Sequence, residues 1–224
     1  MIVAASQPGS ATQDEALSVL CRSYWLPVYA YIRRRGHKPE DAQDLTQEFF
    51  ARLDAKEWPA RVDPRSSRFR SFLLTAVSRF LSNEYDTVTA AKRGGGTPPL
   101  NLERAEEQCA GEWSAPQTPE HAYDRRWALS VMDQVLHRLR EEAIHNENLA
   151  HSDAFSPFRS RESTTGENCS VAAKLYLPVG AVGVAVLRLR RRYREVVRAV
   201  IIDTVSQHED TDDDFRYLIN VLRS

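Results

Sequence analysis

Between residues 69 and 81, Phe69, Phe72, Leu73, Ala76, Val77, Phe80 and Leu81 recur at three- and four-residue intervals, the spacing that puts side chains on one face of an α-helix. A stripe that wide must be buried, which commits the chain to packing helix against helix. Two more amphipathic segments precede it. Leu17, Leu20, Tyr24, Val28 and Tyr31 line one face of a helix that Pro27 is expected to kink or divide. Gly36 and His37 mark its stop. Pro39 then opens a second helix with Glu40 and Asp41 in its first turn, where proline's missing N–H costs nothing and the helix dipole favours acids. Its expected stripe is Ala42, Leu45, Phe49 and Leu53. No useful run alternates with period two, so the expected fold is all-α, with residues 14–92 forming one compact lobe.

Gly94-Gly95-Gly96 and Thr97-Pro98-Pro99 break the pattern, and residues 93–117 read as a flexible linker. A second small lobe is expected over 118–204. Thr118 can cap its first helix, with Pro119 at the first helical position and Ala128, Val131, Val135 and Leu139 inside. Residues 149–167 read as polar and irregular. Helical signals resume at Ser170, break at Pro178 and continue to about Val205, a spacing that fits a helix-turn-helix. Residues 1–13 are expected to be disordered. An acidic extension, 205–224, carries a short helix at 212–222; it either covers the back lobe's arginines or is a solvated cap.

Three widely spaced cysteines, Cys21, Cys109 and Cys169, form no CxxC pair, which argues against a disulfide framework and a structural zinc site. The absence of a signal-like start or a long apolar run predicts a cytoplasmic protein without membrane contact. His145, Glu147, His151 and Asp153 match no zinc spacing. Gly94 to Gly96 follow no strand and carry no phosphate-loop pattern. Neither an enzyme nor a cofactor is expected.

The net charge of −1 conceals blocks of opposite sign, which suggest separate surfaces for separate partners or simply solvated helix faces. Asp41, Asp44 and Glu48 fall on one face of the second helix, with Gln47 at its edge. That face either docks a basic partner protein or is solvated. The third helix carries Ser71, Thr75, Ser78 and Ser82 opposite its apolar stripe, with Arg79 and Asn83 alongside. Arg65, Arg68 and Arg70 precede this face and Lys92 and Arg93 follow it. Small polar side chains flanked by arginines suit single-stranded DNA; a plain outer face is the alternative. In the back lobe, Arg188, Arg190, Arg191 and Arg192 can neutralise phosphates, or bind an acidic protein or lipid.

Taken together, these segments resemble sigma factors of bacterial RNA polymerase of the extracytoplasmic-function type. The pattern D-x-x-D-L-x-Q-x-x-F, met by Asp41, Asp44, Leu45, Gln47 and Phe50, looks like the family's polymerase-binding helix. Residues 68–84, from Arg68-Phe69-Arg70-Ser71 to Asn83-Glu84, look like the helix that melts and reads the minus-ten element. The resemblance resumes at Tyr123-Asp124-Arg125-Arg126-Trp127 and runs through Gly180-Ala181-Val182 to Arg188-Leu189-Arg190-Arg191-Arg192, which looks like the region that reads the minus-thirty-five element.

The resemblance implies partners, namely core RNA polymerase and promoter DNA, and leaves room for an anti-sigma factor. The acidic helix would dock on the clamp helices of the largest polymerase subunit. The third helix would capture non-template bases, and the back-lobe helix would enter the upstream major groove. The back lobe departs from the family pattern. Tyr176 stands where a turn glycine is usual, Pro178 where a capping serine is common, and Val179, Gly183 and Leu187 at positions that are often polar. The upstream contact is therefore expected to be weak, phosphate-directed or lost. Two rivals remain: a non-initiating regulator that binds polymerase or another protein, and an autonomous helix-turn-helix repressor.

Overall fold

A computed structural model describes residues 11–55, 69–87, 102–113, 117–159, 161–204 and 211–223. Among them every regular element is helical: α1 Ala11–Arg34, α2 Pro39–Ala55, α3 Phe69–Thr87, α4 Leu102–Trp113, α5 Pro119–His145, α6 Leu149–Phe155, α7 Thr165–Leu175, α8 Val179–Thr204 and α9 Thr211–Arg223, with a 3-10 turn at Ser156–Phe158. The all-α expectation holds. No single helix among the described residues is long and apolar enough to cross a membrane. The disorder expected for 1–13 falls mostly outside the described residues, although α1 already begins at Ala11.

The chain divides into two compact units, one reaching Ser130 and resuming at Ile201, the other Val131–Val200. In the first unit, α1 runs without interruption through Pro27, so the expected division does not occur. Tyr24, Trp25, Val28, Tyr29, Ala30, Tyr31 and Ile32 are all buried. A helix wrapped on several sides retains a proline because packing outweighs the one lost backbone bond. Gly36 ends the helix region at φ +97°, a left-handed conformation that favours glycine.

α2 buries Ala42, Thr46, Phe49 and Leu53. Thr46 thus takes the place expected of Leu45, which is half-buried. Its hydroxyl donates to the Ala42 carbonyl at 2.6 Å, which removes the penalty for burying it. α3 buries Phe69, Leu73, Val77, Phe80 and Leu81, while Phe72 and Ala76 stay partly exposed. Tyr24 meets the Phe69 ring edge-on at 5.1 Å, and Phe49 meets Phe80 at 5.7 Å, which seats α3 among α1 and α2.

Within the stretch read as a linker lies α4. Ala105 and Cys109 are buried, and between them Glu106 accepts bonds from the Arg33 guanidinium at 2.8 and 3.2 Å and from the Tyr29 hydroxyl. Burial and this carboxylate push the Tyr29 phenol well above its usual range. The triple glycine itself is outside the described residues.

The second unit is built around Phe155, Phe158, Ala172, Val182 and Val186. The segment read as irregular thus holds α6 and the 3-10 turn over 149–158, anchored by the buried Phe155 and Phe158, while 161–164 has no regular structure. Thr118, in the first unit, caps α5 by accepting from the His121 N–H at 3.2 Å, and the four expected stripe residues of α5 are buried. A capping box starts α7, where Glu167 N–H donates to the Thr164 hydroxyl and Glu167 accepts from the Thr164 N–H at 2.8 Å. Arg161 first, then Thr164, hold the Glu167 carboxyl down at about 2.

Candidate functional site

The outward side of α2 follows from what its inward side must be. With Ala42, Thr46 and Phe49 committed to the core, Asp41 and Asp44 are exposed, and Leu45, Gln47, Glu48 and Phe50 lie partly exposed around them. Asp44 makes no ion pair among the described residues. Glu48 is held by Arg52, whose guanidinium also lies 5.1 Å above the Phe80 ring. Beside this face, His37 has its pKa lowered by burial, an effect that Asp41 partly opposes. The result is an acidic surface with an apolar edge from Leu45 and Phe50, which is suited to a basic, partly apolar protein surface.

α3 presents Thr75, Arg79, Ser82 and Asn83 to solvent, with Ser71 and Ser78 half-buried. The Thr75 hydroxyl donates to the Ser71 carbonyl at 2.9 Å and Ser82 to Ser78 at 3.0 Å. Their protons are thereby used within the helix, and the outward lone pairs are left to accept from a base's amino groups. A shallow cleft of about 360 Å³ opens here, lined by Tyr31, Leu74, Thr75, Ser78, Arg79 and Glu120. It combines the Arg79 guanidinium, suited to phosphate, with small side chains that allow close approach, over a floor closed by the buried Tyr31. The sequence placed Arg79 here and Tyr31 in the core, where it is buried, but offered no sign of Glu120. Periodicity within one helix carries no signal of what a neighbouring helix contributes.

Residues 20–87 match the family model Sigma-70 region 2. The match starts inside α1, takes in the acidic face of α2 and ends where α3 ends. Compared with curated proteins and with solved structures, the chain shows no match.

Not every residue expected at the DNA surface of the region 2 segment is found there. Arg68, Lys92 and Arg93 lie outside the described residues. Arg70 points inward: it is 7% exposed, is ion-paired with Asp124 of α5 and lies 4.0 Å from the centre of the Tyr217 ring of α9. Trp127 covers it at 5.2 Å. Burial alone would lower the Arg70 pKa, but Asp124 and the surrounding tyrosines reverse that and raise it. The buried Tyr123 hydroxyl donates to the Arg70 carbonyl at 3.0 Å. Asp124 also accepts from the Tyr217 hydroxyl. Leu218 and Val221 of α9 are buried. The acidic extension thus contributes a helix to the first unit.

Those arginines have other partners. Arg192 donates to Glu142 at 2.9 Å and to Glu195 at 3.2 Å, Arg191 to Glu195 at 3.1 Å, and Arg190 lies 3.4 Å from Glu162. Arg188 and Arg194 are exposed and make no ion pair among the described residues. The turn between α7 and α8 keeps its geometry without glycine. Tyr176 adopts φ +54°, Leu177 N–H returns to the Ala172 carbonyl at 2.9 Å, and the Pro178 carbonyl accepts from Ala181 at 2.9 Å. The chain bends by 102° between the two helices, within the range of a helix-turn-helix.

Proposed function

We propose that this chain is a sigma factor of the extracytoplasmic-function type, which binds core RNA polymerase through the outward face of α2 and directs it to promoter DNA. The observation that carries the reading is the acidic face itself. Within the segment that matches Sigma-70 region 2, Asp41 and Asp44 stay exposed beside the partly apolar Leu45 and Phe50. α3 supplies the single-strand surface, where Arg79 holds backbone phosphate and the cleft beside it accepts an unstacked base. Asn83, exposed one turn further on, extends that surface, and Ser71 lines its start. Binding to polymerase and capture of bases offset the few kcal/mol that unstacking costs. The protein works as a binding subunit in the cytoplasm and needs no cofactor of its own. In the second unit, Arg188, Arg190, Arg191 and Arg192 serve phosphates of upstream duplex.

A polymerase-binding protein that does not initiate is the second reading, favoured by the apolar outer face of α8, where Leu187 is 67% exposed. Run-off transcription with core polymerase on promoter DNA decides between them. A transcript supports the sigma factor, stable core binding without transcript supports the non-initiating protein, and failure to bind core sinks both. Within the first reading, Arg79→Ala with Asn83→Ala should lower open-complex formation about tenfold, from lost phosphate and base contacts worth about 1–3 kcal/mol, while core affinity stays within about twofold. Equal loss in both assays would count against this surface.

A further inference from the structure

The outer face of α8 is apolar where a DNA-reading helix is usually polar. Gly180, Gly183, Val184, Leu187, Arg191 and Arg194 fall at i, i+3, i+4, i+7, i+11 and i+14, on one side of the helix, and all are exposed. Val182 and Val186 face the opposite way, into the core. Leu187 and Val184 are 67% and 49% exposed, and Tyr176, at the turn before the helix, is 95% exposed. The first two turns of this face hold no side-chain hydrogen-bonding atom, whereas the next two carry arginines.

We propose that this face enters the major groove and selects thymine by contact with its 5-methyl group, with the arginines that follow held on the flanking phosphates. The proposal rests on the helix-turn-helix reading above and deepens it. Valine and leucine cannot bond to the donors and acceptors of base edges. The 5-methyl of thymine is the apolar group that the major groove displays, and it distinguishes A·T from G·C pairs and one strand from the other. Charge favours duplex DNA as the occupant: Arg188, Arg191 and Arg194 lie exposed on the same helix and suit phosphate. The glycines fit the same occupant. Among the described residues, nothing beyond the helix's own backbone lies within 4 Å of where a Cβ would stand at Gly180 or Gly183. A mid-helix glycine is less favourable than alanine, and no packing among the described residues requires one here. Without a Cβ at either position, the helix backbone can come close to the floor of a groove.

The test uses the full chain and short fluorescent duplexes: alternating A·T, the same duplex with deoxyuridine for every thymidine, and G·C. Uracil removes the methyl and leaves every hydrogen-bonding edge unchanged. The thymine duplex should bind about threefold to tenfold more tightly than its uracil counterpart, and Leu187→Asn should abolish that difference. Arg191→Ala with Arg194→Ala should weaken binding to all three duplexes alike and lower the salt slope by roughly one per arginine. Leu187 is exposed, so an unchanged helical spectrum is expected of the variant and serves as its control. Equal affinity for thymine and uracil duplexes, with salt-sensitive binding retained, overturns thymine selection and leaves a phosphate-directed helix-turn-helix. No binding to any duplex, by the chain or by its mixture with core polymerase, overturns the helix-turn-helix reading as well. Concentration-dependent self-association that Leu187→Asn abolishes assigns the face to a second copy of the chain and also overturns the proposal.

Discussion

Asp124→Ala is expected to destabilise the first unit by about 3–5 kcal/mol, because it leaves the Arg70 guanidinium buried and uncompensated. The same carboxylate accepts from Tyr217, so the substitution also loosens α9. Replacing both partners by apolar residues of similar size, Arg70→Met with Asp124→Leu, should recover most of the loss, since the cost lies in the stranded charge rather than in the lost attraction. Urea denaturation followed by tryptophan fluorescence reads both, as Trp127 lies directly over the guanidinium. A loss below about 1 kcal/mol in the single variant would show that water reaches Arg70, and the buried-pair account would fail. The pH dependence has a definite sign. Burial, and next the bond to Asp124, push the Tyr217 phenol up to about 12. A raised folded-state pKa means that this contribution is fully present below the unfolded value near 10 and is lost as pH rises through about 12. Stability should therefore fall over that alkaline window, and Tyr217→Phe should flatten the fall.

This cluster also marks what was legible in the sequence and what was not. Helices with dense apolar stripes, α1, α3 and α5, could be placed from spacing alone, since several large side chains at helical intervals leave little choice of face. α4 could not. Its buried positions, Ala105 and Cys109, are small, and its strongest tether is the carboxylate of Glu106, a residue type that reads as surface. α6 and the turn after it failed for a similar reason, because Phe155 and Phe158 stand among polar residues and no stripe announces them. Arg70 shows a third limit. In sequence it is one of several basic residues flanking a polar face. Its inward orientation depends on Asp124, 54 residues along the chain, and on Tyr217, a further 93 residues beyond Asp124, and no local pattern links the three. The candidate site was more legible than its supports. α2 needs only its own period to separate Asp41 and Asp44 from Ala42 and Phe49, and the one misplaced member, Leu45 for Thr46, moved an apolar side chain toward the surface that a partner would use.

That outward acidic face carries the second large effect. Asp41→Lys with Asp44→Lys should weaken binding to core RNA polymerase by about 100-fold or more, because bringing like charges together at an interface costs several kcal/mol. The neutral pair Asp41→Asn with Asp44→Asn should lie between wild type and reversal, as it removes attraction without adding repulsion. Glu48→Ala should matter least of the acidic changes, because Arg52 already occupies that carboxylate. The fold should tolerate all of them. Both aspartates are exposed, and the loss of favourable interaction with the start of α2 is worth about 0.3–1 kcal/mol for a residue in the first turn. Affinity measured across a salt series separates the electrostatic share. Wild-type binding should weaken as salt rises, the neutral pair should respond less, and the reversed variant should bind better as salt screens its repulsion. If the reversed variant binds core polymerase as tightly as the wild type while its helical spectrum is intact, the dock lies on another surface. The region 2 match would then have to be explained by α3 and the cleft at Arg79 alone.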